Sequence, residues 1–516
     1  AMSFNRLKLL AERMSGALAS RAGVKQGDVV ACLLPNVPHF PVLYYALARL
    51  GAALAPMPPN SVGREIQVML SDTGTRTLVT LDLLYDRVAN TWQGCGVETV
   101  IVGTVIDFMP LPVRLLARLT KKAPKPAIPV PYSERVLPMS SLLRHAAVPQ
   151  RARVKTSDVA LLQFTGGTTG TPKAAMLTHA SLLANARQMR SWFPSLRDGE
   201  ETLLAVLPFF HVYGVTLVMN AAMLLAARTV LVPRPVVQDM LDAIRTYQPT
   251  IFPGVPTIYV AITGDPRSRH YDLSSIDVCV CGGAPLPIDV KRDFEHLTGG
   301  RLYEGYGLSE ASPVTHAEPC NRQSKPGSIG LPLPDTEVRI VDESGSAVPV
   351  GQVGELVIRG PQVMKGYLNR AEETAEVLVD GWLRTGDLAR MDDEGWFFIV
   401  DRKKDLIITG AHNIYPREIE DVLLQHDSIH EVAVVGVPHP YGGEVAKAFI
   451  VLKPGREATK SQILAFARER LARHKVPRAI EFRDELPKSH VQKTLRRVLA
   501  QEERERQARR AADRTR

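Results

Sequence analysis

The sequence predicts an α/β protein with a large N-terminal domain and a smaller α+β C-terminal domain. Its 516 residues suffice for several domains, since one domain takes roughly 100–200 residues. Continuous Val, Ile and Leu runs alternate with helical patterns up to about residue 310, and short alternating strands with close Gly, Asp and Pro turns follow over 327–400. A smaller region of mixed pattern begins at the charged run 401–405. We therefore predict an N-terminal domain over 1–400 and a C-terminal domain over 401–516.

Continuous apolar runs separated by helices are typical of parallel strands that are buried on both faces. Such strands are predicted at 28–34, 77–80, 97–102, 229–232 and 277–281. The alternating runs after residue 327 indicate antiparallel or barrel strands instead, predicted at 338–341, 354–359 and 395–400. A charged terminal helix is predicted over 501–516.

The positive charge of the chain is concentrated in one window. Lys and Arg total 63 against 54 Asp and Glu, which gives a net charge of +9. Residues 111–155 contain ten basic side chains and one acid, Glu134, so this window alone carries +9. Nucleic-acid binders add stacking aromatics to their basic surface, whereas this window has one aromatic residue, Tyr132. We therefore expect no nucleic-acid partner.

Cysteine usage and hydropathy indicate a cytoplasmic protein. The five cysteines form no CxxC pair, which argues against a zinc site or a disulfide framework. The N-terminus lacks the basic-then-apolar layout of a signal peptide. The most apolar stretch, 214–227, is shorter than the roughly 20 residues that a membrane-spanning helix needs. Taken alone, it predicts a buried helix.

A strand that leads into a Gly- and Thr-rich loop gives the strongest chemical signal. Residues 163–173 read Gln-Phe-Thr-Gly-Gly-Thr-Thr-Gly-Thr-Pro-Lys, without Walker A spacing. Glycines let backbone N–H groups approach an anion, Thr hydroxyls add donors, and a Lys supplies a point charge. The loop therefore predicts a phosphate cradle, made of Thr165, Gly166, Gly167, Thr168, Thr169, Gly170 and Lys173.

This motif resembles that of the adenylate-forming superfamily of acyl-CoA synthetases, luciferases and peptide-synthetase adenylation domains. Within it, the chain looks like the bacterial long-chain fatty acid–CoA ligases, and the likeness extends over nearly the whole sequence. The resemblance implies a large N-terminal domain of two layered α/β subdomains plus a small β-barrel. It also implies a mobile C-terminal domain that carries a catalytic lysine.

The next motifs follow in the order of the family. At 208–214, the resemblance implies that His211 lies beside the acyl carboxylate and the adenylate phosphate, at the entrance to an acyl tunnel lined by 215–227. At 303–310, it implies that Tyr306 stacks on adenine and that Glu310 holds Mg²⁺ together with Thr165. The remaining nucleotide contacts that it implies are Gly283, Ala284, Pro285, Glu304, Gly305, Gly307 and Ser309.

Three later motifs complete the implied site. Trp-Leu-Arg-Thr-Gly-Asp at 382–387 implies that Asp387 accepts hydrogen bonds from the ribose hydroxyls. The run 401–405 matches the hinge between the two domains, with Arg402 near the ribose. Lys493 matches the catalytic lysine, whose ammonium would bridge the carboxylate and the α-phosphate and stabilise the charge that shifts between them.

The sequence also departs from the family pattern. Gln492 replaces the usual Gly before the catalytic lysine, Ala174 replaces the common Gly after Lys173, and Ala411 replaces a glycine of the loop that faces thioester formation. The chain starts inside the usual first helix–strand unit, so we expect that an N-terminal segment is missing. These departures bear on rate and substrate range more than on reaction class.

The resemblance implies an ATP-dependent ligase that converts a long-chain fatty acid to acyl-AMP and then to acyl-CoA, with Mg²⁺ and coenzyme A. A medium-chain or aryl acid–CoA ligase and a carrier-protein-loading acyl-AMP ligase stay open as alternatives. A non-catalytic acyl- or nucleotide-binding homologue is the alternative from a different class.

The basic window lies outside every catalytic motif. At helical spacing its first basic residues share one face and three leucines share another: Arg114, Arg118, Lys121 and Lys122, against Leu111, Leu115 and Leu119. Such a stretch predicts peripheral contact of 111–155 with anionic lipid at the inner membrane face, and a solvated insertion is the open alternative. A homodimer is compatible with the sequence.

Overall fold

The computed structural model describes residues 1–120, 124–144, 151–165, 172–409, 412–438, 444–488 and 494–514, with backbone alone at 111, 118, 119, 412, 413 and 507–514. The chain forms two compact units. The larger unit comprises residues 1–337 and 358–383, and the smaller unit comprises 338–357 and 384–516. The domain boundary after residue 400 stays a prediction.

The first sheet of the larger unit has seven strands in the order β5-β4-β3-β1-β2-β6-β7. All neighbouring strands run parallel except β6 and β7, which form an antiparallel pair. Their apolar runs are buried because helices cover the sheet. The strands are β1 (Val29–Leu33), β2 (Ala53–Met57), β3 (Thr77–Leu81), β4 (Thr99–Gly103), β5 (Val136–Pro138), β6 (Val159–Thr165) and β7 (Lys173–Thr178).

A second sheet in the same unit also has seven strands, in the order β14-β13-β12-β11-β10-β8-β9. Its strands from β8 to β12 are parallel, and β13 and β14 add antiparallel pairs at one edge. The strands are β8 (Thr202–Ala205), β9 (Arg228–Leu231), β10 (Ile251–Gly254), β11 (Val278–Cys281), β12 (Arg301–Gly307), β13 (Val314–Ala317) and β14 (Leu331–Pro332). The sequence predicts five parallel strands, and all five are confirmed. Three of them lie in the first sheet (β1, β3 and β4) and two in the second (β9 and β11).

Helices of the larger unit flank these sheets, and their ends follow local capping chemistry. Thr178 caps α7, because its hydroxyl accepts from the Ser181 N–H while the Ser181 hydroxyl accepts from the Thr178 N–H. The helices are α1 (Phe4–Arg21), α2 (His39–Leu50), α3 (Gly63–Thr73), α4 (Tyr85–Val88), α5 (Leu111–Leu119), α6 (Met139–Leu143), α7 (His179–Trp192), α8 (Ala221–Leu224), α9 (Val237–Tyr247), α10 (Pro256–Gly264), α11 (Ile288–Thr298) and α12 (Ala371–Val377).

The apolar stretch at 214–227 is the buried helix that its sequence predicts. It begins as a π-helix over Gly214–Asn220 and continues as α8. No helix among the described residues is both long enough and apolar enough to cross a membrane.

The short strands predicted after residue 327 are also present. Residues of the smaller unit make up most of a sheet in which β15 (Glu337–Val341), β16 (Gly354–Arg359), β18 (Trp382–Met391) and β19 (Phe397–Arg402) follow one another. Within the larger unit, β17 (Leu378–Val379) forms a hairpin with the first two residues of β18.

The rest of the smaller unit is α+β, as predicted. A three-stranded sheet in the order β22-β23-β24 packs with two helices around one apolar core. The terminal helix begins at Arg496, five residues before its predicted start. The elements are β20 (Ile407–Thr409), β21 (His412–Ile414), α13 (Pro416–Leu423), β22 (Ile429–Pro438), β23 (Glu444–Leu452), α14 (Lys460–Arg470), β24 (Ala479–Phe482) and α15 (Arg496–Arg514).

Candidate active site

The predicted phosphate loop is closed at its base by a β-hairpin. Thr165 ends β6, Lys173 begins β7, and these two residues are paired across the antiparallel register. Both ends of the loop are therefore held together at the edge of the first sheet. Thr168 and the three glycines Gly166, Gly167 and Gly170 lie outside the described residues, as does Thr169.

Lys173 is held by two side chains that the sequence did not single out. Its Nζ lies 2.7 Å from Glu373 Oε2, and it also lies over the ring of Tyr367, 5.4 Å from the ring centroid. These contacts hold the Lys173 ammonium in one position at the C-terminal end of the predicted phosphate loop. Phosphate oxygens bound by the loop would therefore lie near a positive charge that is already positioned.

The same tyrosine connects this cation to the predicted metal ligand. Tyr367 Oη donates a hydrogen bond of 2.7 Å to Glu310 Oε1. Burial and the charge of Glu310 raise the pKa of Tyr367, so the phenol stays protonated and remains a donor. The carboxylate of Glu310 is thereby oriented through one of its two oxygens.

The oxygen atoms of Glu310 and Thr165 are suitable ligands for a Mg²⁺ ion that binds together with a nucleotide. No group of three or more His, Cys, Asp and Glu in the described part of the chain could hold a metal alone. Mg²⁺ commonly binds through one or two protein oxygens and completes its shell with water and substrate phosphates. The Glu310 carboxylate and the Thr165 hydroxyl are hard oxygen ligands of this kind.

His211 lies on a loop that is hydrogen-bonded to strand β6, which leads into the predicted phosphate loop. Gln163, in β6, donates from Nε2 to Phe210 O at 3.2 Å. The backbone N–H of Tyr213 donates to His211 Nδ1 at 3.2 Å, so a neutral His211 carries its proton on Nε2. The half-buried imidazole can therefore donate a hydrogen bond from Nε2 to an oxyanion.

A buried asparagine, which sequence reasoning missed, holds the chain that leads to His211. Asn36 Nδ2 donates to the carbonyls of Ala205 and Leu207 at 2.9 and 2.8 Å, and its Oδ1 accepts from Phe209 N at 2.8 Å. Asn36 follows β1, so it joins the first sheet to the loop after β8. Nothing in the residues around position 36 marks this role, because its partners lie about 170 residues away.

The predicted adenine side is built on the second sheet. Gly283, Ala284 and Pro285 form an exposed turn after β11, and Gly283 needs its φ of +87°. Glu304, Gly305, Tyr306 and Gly307 end β12, so they reach the same edge as the turn because β11 and β12 are parallel. Ser309 and Glu310 follow in a 3₁₀ turn.

Tyr306 packs against a histidine that stays neutral. The ring of His316 lies 5.9 Å from that of Tyr306, and Thr315 Oγ1 lies 2.8 Å from His316 Nδ1. Complete burial lowers the pKa of His316 to about 3. The strand β13, which pairs with β12, therefore carries an uncharged imidazole at neutral pH.

The two residues implied for the ribose are neighbours within the smaller unit. Asp387 and Arg402 are paired across β18 and β19, with Asp387 Oδ1 3.2 Å from Arg402 Nε. The N–H of Asp387 donates to Thr385 Oγ1 at 3.1 Å, and the Thr385 hydroxyl donates to Leu356 O. A buried carboxylate is thus set in a fixed orientation beside a guanidinium.

The loop that contains Lys493 is outside the described residues, but its base is described. Lys488 and Thr494 form an antiparallel bridge, and Leu495 N donates to Pro487 O at 2.8 Å. The loop therefore leaves from and returns to one point of the smaller unit. Its catalytic role stays a prediction.

Directly after this loop, Arg496 forms a cluster with the predicted hinge run. Its Nη1 lies 3.2 Å from Asp401 Oδ1 and 3.1 Å from Asp405 Oδ2, and it also pairs with Glu420. Burial opposes the charge, but the three carboxylates outweigh it and raise the pKa of Arg496. The base of the lysine loop and the hinge run therefore form one ionic cluster within the smaller unit.

A lysine fixed at the base of a Gly- and Thr-rich loop, an exposed turn at the strand edge that Tyr306 also reaches, and a carboxylate oriented by a phenol are the features that the sequence predicts for a nucleotide-binding enzyme. Residues 1–368 match the AMP-binding enzyme family, and residues 418–493 match the AMP-binding enzyme C-terminal domain. The chain belongs to the AMP-binding enzyme family, which confirms the resemblance drawn from its motifs.

Individual relatives give a finer comparison. The chain is 45% identical over 487 residues to a long-chain-fatty-acid–CoA ligase of Bacillus subtilis (strain 168), covering 94% of this chain and 87% of the relative. It is 36% identical over 489 residues to a feruloyl-CoA synthase of an Amycolatopsis species, covering 94% and 91%. The solved structure of ATP-bound MatB from Rhodopseudomonas palustris matches with a TM-score of 0.83 at 27% identity, covering 97% and 93%.

Proposed function

We propose that the protein is a long-chain fatty acid–CoA ligase that works in two steps. In the first step, the fatty carboxylate attacks the α-phosphorus of ATP, which forms acyl-AMP and releases pyrophosphate. In the second step, the thiol of coenzyme A attacks the acyl carbonyl, and AMP leaves. The long-chain preference rests on several long-chain-fatty-acid–CoA ligases at 33–45% identity over nearly the full chain.

The chemical part of the proposal rests on one hydrogen bond, which Gln163 Nε2 donates to Phe210 O at 3.2 Å. It couples the strand that enters the phosphate loop to the loop that presents His211. Carboxylate and phosphate must meet within reacting distance for adenylate formation, and a fixed geometry between their two binding loops provides this. Donation from His211 Nε2 would stabilise the charge on either partner.

The remaining roles follow from charge and position. Lys173 would hold phosphate oxygens, Tyr306 would stack on adenine, and Asp387 with Arg402 would hold the ribose. Lys493 would place its ammonium between the carboxylate and the α-phosphate, where charge shifts in the transition state. When bound by Glu310 and Thr165, Mg²⁺ would neutralise phosphate charge.

Rotation about the hinge run 401–405 between the two steps is part of the proposal. It would withdraw Lys493 after adenylation and present the loop 410–416 for the attack of coenzyme A. Gly410 and Ala411 lie outside the described residues.

An aryl acid–CoA ligase is the second candidate, favoured by the similarity to a feruloyl-CoA synthase. Pyrophosphate release measured over acids of graded chain length, and over aryl acids, separates the two. Maximal release with long-chain fatty acids, followed by AMP release only with coenzyme A, is the expected result. A maximum with aryl acids would overturn the long-chain assignment, and transfer of the acyl group to a carrier protein but not to coenzyme A would overturn the coenzyme A step.

A further inference from the structure

A largely buried ion pair lies between the helix that follows the predicted adenine turn and the end of strand β13. Lys291 Nζ lies 2.6 Å from Glu318 Oε2, and the two side chains are 18% and 4% exposed. Charged groups lose their hydration on burial, so such a pair adds little stability compared with well-packed apolar side chains of similar size. None of the proposed nucleotide or catalytic contacts involves either residue. The elements that the pair joins indicate its role.

The lysine lies on a helix that directly follows the adenine turn. The turn 283–285 is followed after two residues by α11 (Ile288–Thr298), and Lys291 N donates to Pro287 O at 3.1 Å in the first turn of this helix. Leu286, between the turn and the helix, is buried in an apolar core together with residues of the second sheet. A short, packed segment therefore joins the adenine turn to the ammonium of Lys291.

The glutamate holds the strand that carries Tyr306. The N–H of Glu304 donates to Glu318 Oε2 at 2.9 Å, and this is the same oxygen that contacts Lys291. The N–H of Glu318 donates in turn to Glu304 O at 2.8 Å, and Trp192 Nε1 donates to Glu318 O at 2.9 Å. Glu318 therefore binds both backbone groups of Glu304, two residues before Tyr306.

The adenine turn and this strand also lie close together. Strands β11 and β12 are parallel neighbours, with Cys281 paired to Glu304, so the turn and Tyr306 follow adjacent strands at one edge of the sheet. A Cβ at Gly282 would lie 3.2 Å from Gly305 O, which shows how closely the two backbones approach. The spacing between the turn and Tyr306 therefore depends on how α11 and Glu304 are held.

We propose that the Lys291–Glu318 ion pair sets the spacing between the turn 283–285 and Tyr306, and thereby preorganises the site for the adenine base. One carboxylate oxygen holds the helix and the strand at once, since it contacts Lys291 and accepts from Glu304 N. Both members of the ion pair are positioning residues, because they act through the turn and the strand. That adenine occupies this site rests on the proposed function, whereas the contacts of the ion pair do not.

Calorimetric binding of AMP and of inorganic tripolyphosphate, each with Mg²⁺, tests the positioning role. AMP presents the base, whereas tripolyphosphate presents phosphates alone. In a Lys291→Met/Glu318→Gln variant, the Kd for AMP should rise roughly tenfold because the base site is no longer preorganised, and the Kd for tripolyphosphate should not change. This variant should fold, since it leaves no unpaired buried charge and its amide oxygen still accepts from Glu304 N.

Two further variants separate the ion pair from other effects. Lys291→Arg keeps the positive charge and should bind AMP like the wild type. Arg292→Met removes a charge at the next position of α11, where the side chain is 69% exposed and pairs with Asp289, and it should also bind like the wild type. In the complete reaction, the Lys291→Met/Glu318→Gln variant should show a raised KM for ATP and an unchanged KM for the fatty acid.

Three results would overturn the positioning role. The first is unchanged AMP binding in the Lys291→Met/Glu318→Gln variant. The second is an equal loss of AMP and tripolyphosphate binding, which would indicate a general disturbance of the larger unit. The third is AMP binding by Lys291→Arg that is as weak as that of the double variant. A wild-type protein that binds AMP but forms no acyl-AMP from any acid would instead contradict the proposed function and leave the positioning role intact.

Discussion

At the scale of single residues, Tyr367 joins the two charges that a bound nucleotide would need. Its hydroxyl donates to Glu310 Oε1, and its ring lies under the ammonium of Lys173. One side chain therefore positions both the lysine predicted to hold phosphate and the carboxylate predicted to hold the metal. Because Tyr367 acts through these two residues, we treat it as a positioning residue.

Replacement of Tyr367 by Phe should lower kcat/KM for adenylation by roughly 10–100-fold, because a hydrogen bond to a charged group contributes about 1.5–3 kcal/mol. The Mg²⁺ concentration that gives half-maximal pyrophosphate release should rise in parallel, since the ring remains but the carboxylate loses its orienting donor. Tyr247→Phe, at a tyrosine that is 47% exposed, is the matched control. An unchanged Mg²⁺ requirement would contradict the positioning role.

At the scale of elements, backbone packing fixes the loop of His211. Gly214 begins the π-helix, and a Cβ at this position would lie 2.2 Å from Pro208 O. The helix can begin directly after the loop only because this residue has no side chain. Asn36 holds the other side of the same loop through three hydrogen bonds.

A Gly214→Ala variant should lose about 1–3 kcal/mol in its free energy of unfolding, because the methyl group meets backbone that cannot move aside. Its KM for the fatty acid should rise as well, since the loop shifts with the helix. The control is Gly264→Ala at the end of α10, where a Cβ would meet nothing within 4 Å. Urea denaturation gives the free energy of unfolding of both variants. Equal values for the two would refute the packing argument.

The strand that carries His316 should make the larger unit sensitive to acid. Burial lowers the pKa of His316 from its ordinary 6.5 to about 3, so between these pH values the unfolded chain binds more protons than the folded one. The free energy of unfolding contributed by this residue should therefore fall as the pH falls from about 6.5 toward 3. Denaturation midpoints at pH 7 and pH 5 measure the effect.

A His316→Gln variant should show a smaller drop between these two pH values than the wild type, because it has no imidazole to protonate. His270→Gln, at an exposed histidine, should keep the wild-type drop. The same drop in the His316 variant would show that other groups cause the acid sensitivity.

At the scale of the whole molecule, local sequence patterns predict individual strands, because each apolar run is continuous in the chain. The apolar runs predict five of the parallel strands, whereas the order of the strands and the pairing of Thr165 with Lys173 across a hairpin are findings of the structure. Asn36, Tyr367 and Glu373 were not predicted, because each is a common residue type whose partners lie far away in sequence. Their roles depend on register and packing, which no local pattern encodes.

The different requirement of the two reaction steps for Lys493 also belongs to the scale of the whole molecule, because it depends on the proposed rotation about the hinge run 401–405. In a Lys493→Ala variant, adenylation should fall by at least about 100-fold, because the transition state loses its bridging cation. Thioester formation from supplied acyl-AMP should change little, since the lysine would be withdrawn in that step. Lys460→Ala, at an exposed lysine of the same unit, should leave both steps intact. Equal losses in the two steps would contradict the proposed rotation.

Exchange of labelled pyrophosphate into ATP without coenzyme A reports reversible formation of a bound acyl-adenylate, the intermediate on which the proposed ligase reaction depends. We expect exchange that requires both Mg²⁺ and a long-chain fatty acid. Addition of coenzyme A should replace this exchange by net release of AMP. Absence of exchange with every fatty acid, in a protein that still binds ATP, would refute the proposed adenylation step.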